Sequence, residues 1–242
     1  MDGFKSVFDN CQIEFDKYVE KHGEISLFSS FRKHRNIYGF LHNGDTPPDI
    51  GAIRIAMMIS PGMYNKFITQ NKNKKYIGYG EDAPKYKFYD NLDSRHIMLN
   101  VVLWSTIRSS INTVVEIGGG FGNWRRLNPD IPHWTIVDLP YVAKLQDWYL
   151  AEHELRCERT VPSKIDLVIA THSLSEIDWT TFEEYYKTIV MRSKYLLYAY
   201  HKISSGKTLV DRKLEMIHAN FDIVFSTPSE DNNCLNVVYI KK

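Results

Sequence analysis

The sequence is poor in the features that would place it quickly. Three cysteines, Cys11, Cys157 and Cys234, occur among 242 residues. Their count is odd and their spacing is not that of metal ligands. This argues against a disulfide framework and a cysteine-held metal, and it suits a reducing compartment. No run approaches the roughly 18 apolar residues of a membrane-spanning helix. The first ten residues, "MDGFKSVFDN", carry acids where a signal peptide needs a positive segment, and no apolar stretch follows. The expected location is therefore cytoplasmic. The formal net charge of +1 supplies no broad field for a nucleic acid or an anionic membrane, so neither is expected as a partner. The one conspicuous lysine run, "NKNKKY" from Asn71, reads as a solvated loop. Internal repeats and low-complexity segments are lacking.

What remains is ordinary globular composition, 43% hydrophobic and 24% charged, sufficient for a real core. Two textures divide the chain near residue 110. Residues 1–110 read as a helical lobe. Phe4, Phe8, Cys11, Ile13, Phe15 and Val19 fall near helical spacing, with Gly23 as a stop. A second apolar run follows Pro47 and Pro48. "SRHIMLNVVLWSTIRSS" predicts an amphipathic helix capped by Asp93 or Ser94. Ahead of it, Tyr79, Tyr86, Phe88 and Tyr89 are dense enough for a lid or an acceptor platform, or for plain core. Residues 111–242 alternate short β-branched runs with segments of helical length: "TVVEIG", "WTIVDLP", "IDLVIATHS" and "KYLLYAY" are strands, and "YVAKLQDWYLAEHE", "DWTTFEEYYKTIVMR" and "TLVDRKLEMIHAN" are helices. Such alternation predicts an α/β fold with a Rossmann-like, mostly parallel sheet. "FDIVFST" and "CLNVVYIKK" have no helix between them, so the final strand should run antiparallel.

Four of the 13 glycines crowd into "EIGGGFG". A glycine-rich turn after the first strand lets backbone approach a ligand and aims helix N–H groups at it. A nucleotide-like cofactor is the expectation. A pyrophosphate-binding turn reads G-x-G-x-x-G. Here Glu116 leads Gly118, Gly120 and Gly122 as E-x-G-x-G-x-G, with Gly119 between, and no phosphate-binding lysine motif is present. NAD is the rival cofactor. Asp138 closes "WTIVD" roughly twenty residues on, where such folds place a ribose-binding carboxylate.

"EIGGGFG" resembles motif I of class I S-adenosylmethionine-dependent methyltransferases. That resemblance implies a seven-stranded sheet with one antiparallel strand. It implies that the acid of the motif sits near the methionine amino group and that the glycines line S-adenosylmethionine. On it Glu116, Gly118, Gly119, Gly120, Gly122, Asp138, Leu139 and Thr171 are the cofactor-binding candidates. Arg95 is a further one, pairing with the cofactor carboxylate or else with a surface acid. The domain division becomes 1–110, helical lobe and lid, and 111–242, methyltransferase domain. One departure is visible: only "LRCERTVPSK" separates the second helix from Asp166. The family's third strand must therefore be short and its helix nearly absent, with residues near Cys157 and Glu158 beside the adenine.

The acceptor is read from "THSLSEIDW". A hydroxyl nucleophile needs a positioned base. His172 can take a proton near neutral pH, and Glu176 could orient it or serve as the base with its pKa raised in an apolar pocket. His201, after the next strand, is a reserve base. A core histidine at 172 and a helix-capping role for Glu176 are the structural alternatives. The Asp/Asn-Pro-Pro-Tyr/Phe segment of enzymes that methylate base or amide nitrogens is absent. "EIGGGFG", "VDLP", "ATHSLSEI" and "LLYAYHKI" together resemble bacterial and giant-virus sugar O-methyltransferases over the second half of the chain. The resemblance implies a sugar, nucleotide-sugar or glycan acceptor, no required metal and a homodimer as one possible assembly. Another small-molecule hydroxyl, or a non-catalytic cofactor-binding subunit, are the other readings.

Overall fold

A computed structural model describes residues 2–22, 47–73, 89–107, 110–201, 207–228 and 234–242. The chain falls into two compact units. One comprises Met1–Val102, Gly120–Pro129 and Leu139–Arg156; the other comprises Leu103–Gly119, Asp130–Asp138 and Cys157–Lys242.

The first unit is helical. It contains α1 (Asp2–His22), α2 (Ile50–Ile59), α3 (Pro61–Lys72), most of α4 (Asn91–Thr106), the short α5 (Asn123–Leu127) and α6 (Pro140–Ala151). The expected N-terminal helix is α1, and its proposed stop at Gly23 lies outside the described residues. Local chemistry starts each following helix. Asp49 accepts from Ala52 N at 3.0 Å ahead of α2, and Ser60 accepts from Met63 N with Pro61 opening α3. Helix α4 is capped by Asp90, not by the expected Asp93 or Ser94. Asp90 Oδ1 accepts from Asp93 N at 2.8 Å, and Asp93 Oδ2 accepts in return from Asp90 N at 3.3 Å. This reciprocal pair is a capping box with Asp in the third position. Helix α1 packs on α6. Cys11, Phe121, Tyr141, Val142, Leu145 and Tyr149 form their common core, and the Cys11 thiol donates to the Tyr141 carbonyl.

Among its described residues the second unit has six strands: β1 (Thr113–Ile117), β2 (His133–Val137), β3 (Ile165–Thr171), β4 (Ser193–His201), β5 (Phe221–Pro228) and β6 (Cys234–Lys241), in the order β2-β1-β3-β4-β6-β5. The β1–β2, β1–β3 and β3–β4 pairs are parallel, whereas β6 runs antiparallel to both β4 and β5. This is the expected Rossmann-like sheet with an antiparallel final strand. Where a further strand would lie beyond β2, a single parallel bridge joins Thr135 to Glu158. It is made by Ile136 N to Glu158 O at 3.1 Å and Glu158 N to Trp134 O at 2.7 Å. No helix occurs between that bridge and β3. The ten-residue connector thus reduces the third strand of the pattern to one residue, as its length required.

Helices α7 (Trp179–Thr188) and α8 (Lys207–Asn220) bury Phe182, Tyr186, Val210 and Ile217 against Val115, Ile117, Val168, Ala170, Leu196, Tyr198, Val237 and Tyr239. The strand residues recur at every second position, as one face of a sheet demands. Strand order reverses between β1 and β3, because β1 leads outward to β2 and β3 leads the other way to β4. The carboxyl ends of β1 and β3 therefore flank the topological switch point, where open α/β sheets bind ligands.

Candidate functional site

Short tethers in the second unit hold four carboxyl ends together. Gly118 N donates to Val137 O at 2.9 Å, joining the end of β1 to the end of β2. The Ser173 hydroxyl donates to the Ile117 carbonyl, joining the turn after β3 to the end of β1. His172 N donates to Ala199 O at 2.9 Å, joining that turn to β4. Glu116, Gly118, Asp138, Thr171, His172 and Glu176 consequently lie along one edge of the sheet.

Glu116 is the most perturbed of them. Its side chain is buried, and the indole N–H of Trp134 donates to its Oε2 at 2.9 Å. Burial pushes its pKa up to about 8; the Trp134 bond pulls it down and the neighbouring Asp138 pushes it up further. Asp138 is half-buried, one residue beyond β2.

Gly118 sits at φ 71°, in the left-handed region. A Cβ there would overlap the Cβ of Ser173. Its lack of a side chain is therefore required first by close approach of the β1 and β3 turns, a packing reason that the motif alone did not disclose. Gly119, also in this unit, is buried. Gly120 and Gly122, at φ 55° and 94°, belong to the first unit. There the Gly120 carbonyl accepts from Gln146 Nε2 at 2.8 Å, and a Cβ on Gly122 would press on Leu150. Leu139, in the same unit, is the extended N-cap residue just ahead of α6. Arg95 donates from Nε to Asp49 Oδ2 at 2.9 Å, pairing with a buried acid and not with one on the surface.

The turn after β3 holds the proposed base. Thr171 pairs with Ala199 as the last residue of the strand. His172 follows at φ 59°, a left-handed conformation for a residue with a Cβ. That conformation costs about 1–2 kcal/mol, and strain of this kind concentrates at functional sites. Glu176 is half-buried, with its pKa raised to about 7 by burial and drawn down by the Lys213 ammonium. It does not cap α7. Asp178 does, accepting from Thr181 N at 3.0 Å and from the Thr181 hydroxyl at 2.6 Å. Cap bonding holds its carboxyl below the ordinary range. His201 ends β4 opposite Cys234; the placement of its side chain, together with Tyr79, Tyr86 and Phe88, lies outside the described residues. Tyr89 is half-buried, its hydroxyl 3.3 Å from that of Tyr64. Trp124 is fully buried in the first unit, near the His96 ring.

Two residues at this edge escaped the sequence reading. Ser173 stood within "THSLSEIDW" with no role of its own. Lys213 lies within the helix segment "TLVDRKLEMIHAN" and was not singled out, although Val210, Lys213, Leu214 and Ile217 share one face of α8 at helical spacing. A lysine on an otherwise apolar stripe was the available signal.

No family model matches the chain, and no curated protein matches it. Among solved structures it is similar to the mitomycin 7-O-methyltransferase MmcR, at 19% identity over 63% of this chain and 57% of that one, with a TM-score of 0.43. It is similar to the glycopeptide N-methyltransferase MtfA in complex with S-adenosyl-L-methionine, at 14% identity over 60% and 92%, with a TM-score of 0.46. It is also similar to magnesium protoporphyrin IX methyltransferase ChlM of Synechocystis PCC 6803 with S-adenosyl-L-methionine bound, at 11% identity over 78% and 96%, with a TM-score of 0.48. The chain thus spans little more than half of the first of these.

Proposed function

We propose that the carboxyl edge of the β2-β1-β3-β4 sheet binds S-adenosylmethionine and that the protein transfers its methyl group to a hydroxyl, with a sugar or glycan as the acceptor class. The observation that carries this reading is the buried Glu116 carboxyl at the switch point, given one neutral donor and a pKa of about 8. A carboxyl in that condition favours a cationic partner, because a positive charge would offset the desolvation that now keeps it protonated. The methionine amino group is such a partner. Asp138, at the neighbouring strand end, can accept from paired ribose hydroxyls. The donor set and its place at the switch point fit this cofactor.

When bound, the cofactor supplies an electrophilic methyl group on a sulfonium. The chain must then hold an acceptor in line and receive its proton. Glu176 suits the second task, because a carboxyl raised to about 7 is a far better base than an exposed one and is substantially ionised at neutral pH. His172 is the other candidate on the same turn, held by its backbone bond to Ala199. O-methylation is favoured over N-methylation by this pair of bases and by the lack of the Asp/Asn-Pro-Pro-Tyr/Phe segment.

The test is calorimetric titration with S-adenosylhomocysteine, followed by transfer of labelled methyl to a panel of sugars, nucleotide sugars and glycans. Binding should weaken in Asp138→Ala. Glu176→Gln or His172→Ala should lower turnover by about 10²–10⁴ with cofactor binding retained. Absence of S-adenosylhomocysteine binding would refute the cofactor. Binding without transfer to any acceptor would leave a non-catalytic binding subunit as the surviving reading.

A further inference from the structure

Lys213 is the largest charged side chain in the core of the second unit, and its relative exposure is 0%. It stands on α8, and its ammonium reaches across to the turn after β3. There it donates to three carbonyls: Leu174 O at 3.0 Å, Ser175 O at 3.1 Å and Ile177 O at 2.6 Å. An ammonium has three N–H groups, and all three are used on carbonyls of one four-residue stretch. That stretch contains Glu176, whose own carboxyl is not among the acceptors.

We infer that Lys213 is the positioning residue of the candidate site: its ammonium folds the Leu174–Ile177 carbonyls around itself and so presents the Glu176 carboxyl, beside a fixed positive charge, at the sheet edge. Three arguments support this. First, burying an ammonium is costly unless every donor is bonded, so an unbranched apolar residue would serve α8 better if packing were the only need. Second, the acceptors belong to a turn and not to a helix end, so the lysine satisfies carbonyls that no secondary structure would pair. Third, the charge acts on Glu176. The charged groups facing Lys213 are Glu176 on the turn and Asp178 at the start of α7; the group facing Glu176 is Lys213. Burial lowers the Lys213 pKa to about 8 while both carboxylates raise it, so it remains largely charged at neutral pH. The Lys213 charge opposes the burial that lifts Glu176. The Phe182 ring, 5.2 Å from the ammonium, closes the remaining side.

The catalytic part of this inference rests on the proposed role of Glu176; the structural part does not. Lys213→Met keeps an unbranched chain of similar volume and removes the charge, whereas Lys213→Arg retains it. Three measurements on the full chain separate the cases. Side-chain carboxyl NMR should show Glu176 titrating at higher pH in Lys213→Met and near its wild-type position in Lys213→Arg. Hydrogen exchange should accelerate at least about tenfold at Glu176 N and Ile177 N, which bond to Ser173 O, in Lys213→Met only. With labelled cofactor and an accepted sugar, the acidic limb of the kcat profile should move to higher pH in Lys213→Met. If Glu176 titration and turn exchange in Lys213→Met match wild type, the inference is overturned. If both shift as stated while Glu176→Gln keeps full turnover, Lys213 still organises the turn and it is the role of Glu176 that fails. Should Lys213→Met not fold, loss of the turn's exchange protection in wild-type protein as pH rises through the Lys213 titration gives the same answer, and unchanged protection overturns it.

Discussion

Substituting Gly118 tests whether the glycine motif is shaped by protein packing as well as by a ligand. An alanine at φ 71° would hold a Cβ in left-handed backbone, at a cost of about 1–2 kcal/mol. Its methyl would also overlap the Cβ of Ser173. Ser173 is held to the Ile117 carbonyl, so relief requires moving one turn away from the other, and overpacking of this sort costs about 1–3 kcal/mol. Gly118→Ala should therefore lose roughly 2–5 kcal/mol. Ser173→Gly removes the obstructing Cβ and one hydrogen bond, at a loss of about 0.5–1.5 kcal/mol. In the double variant the overlap is gone, and the backbone term and the lost hydrogen bond remain. A double-mutant cycle by urea unfolding should thus return a favourable coupling of about 1–3 kcal/mol. Coupling near zero would mean that the two turns do not touch as described, and that the glycine at 118 is needed for some other reason. Measuring S-adenosylhomocysteine affinity on the same four proteins separates the two roles: if packing alone matters, affinity should recover with stability in the double variant.

Glu116 has a pKa raised from 4.5 to about 8 on folding, so between those values the folded chain binds more protons than the unfolded one. Stability should then fall as pH rises from about 4.5 through about 8; Glu116→Gln should flatten that slope in denaturant titrations across the window, and a slope unchanged by the substitution would argue that Glu116 is not buried as described. Asp178→Ala removes the cap of α7 and should lower stability by about 1 kcal/mol. Because the Asp178 pKa is lowered in the folded state, its contribution should be complete above the ordinary carboxyl pKa and vanish as pH drops through the folded value; thermal melts at neutral and acid pH check both statements. Phe182→Ala, fully buried between α7 and the sheet, should lose about 3–5 kcal/mol in equilibrium unfolding.

Much of the architecture was legible in the linear pattern because it depends on local periodicity. Short β-branched runs separated by helical segments specify a parallel sheet, the helix-free join between "FDIVFST" and "CLNVVYIKK" specifies an antiparallel end, and the ten-residue connector before Asp166 leaves no room for a full third strand. Each of these is a statement about chain length and side-chain period. The cap of α4 was misplaced by three or four residues because Asp90, Asp93 and Ser94 are all competent caps; which one acts depends on where the chain enters the helix.

The site divides along the same line. Residue type and spacing were enough to single out Glu116, Gly118, Asp138, His172 and Glu176, since strand ends and glycine turns announce themselves in order along the chain. Tertiary structure decided what those residues experience. Burial beside Trp134, not the motif, makes Glu116 a carboxyl with a pKa of about 8. Contact with Ser173, 55 positions away, is what forbids a Cβ at Gly118. Lys213, in a helix that follows one more strand, supplies the charge and the three donors that shape the turn around Glu176. Desolvation, overlap and long-range donor geometry depend on what stands next to a group in space, and the order of residues records that only indirectly.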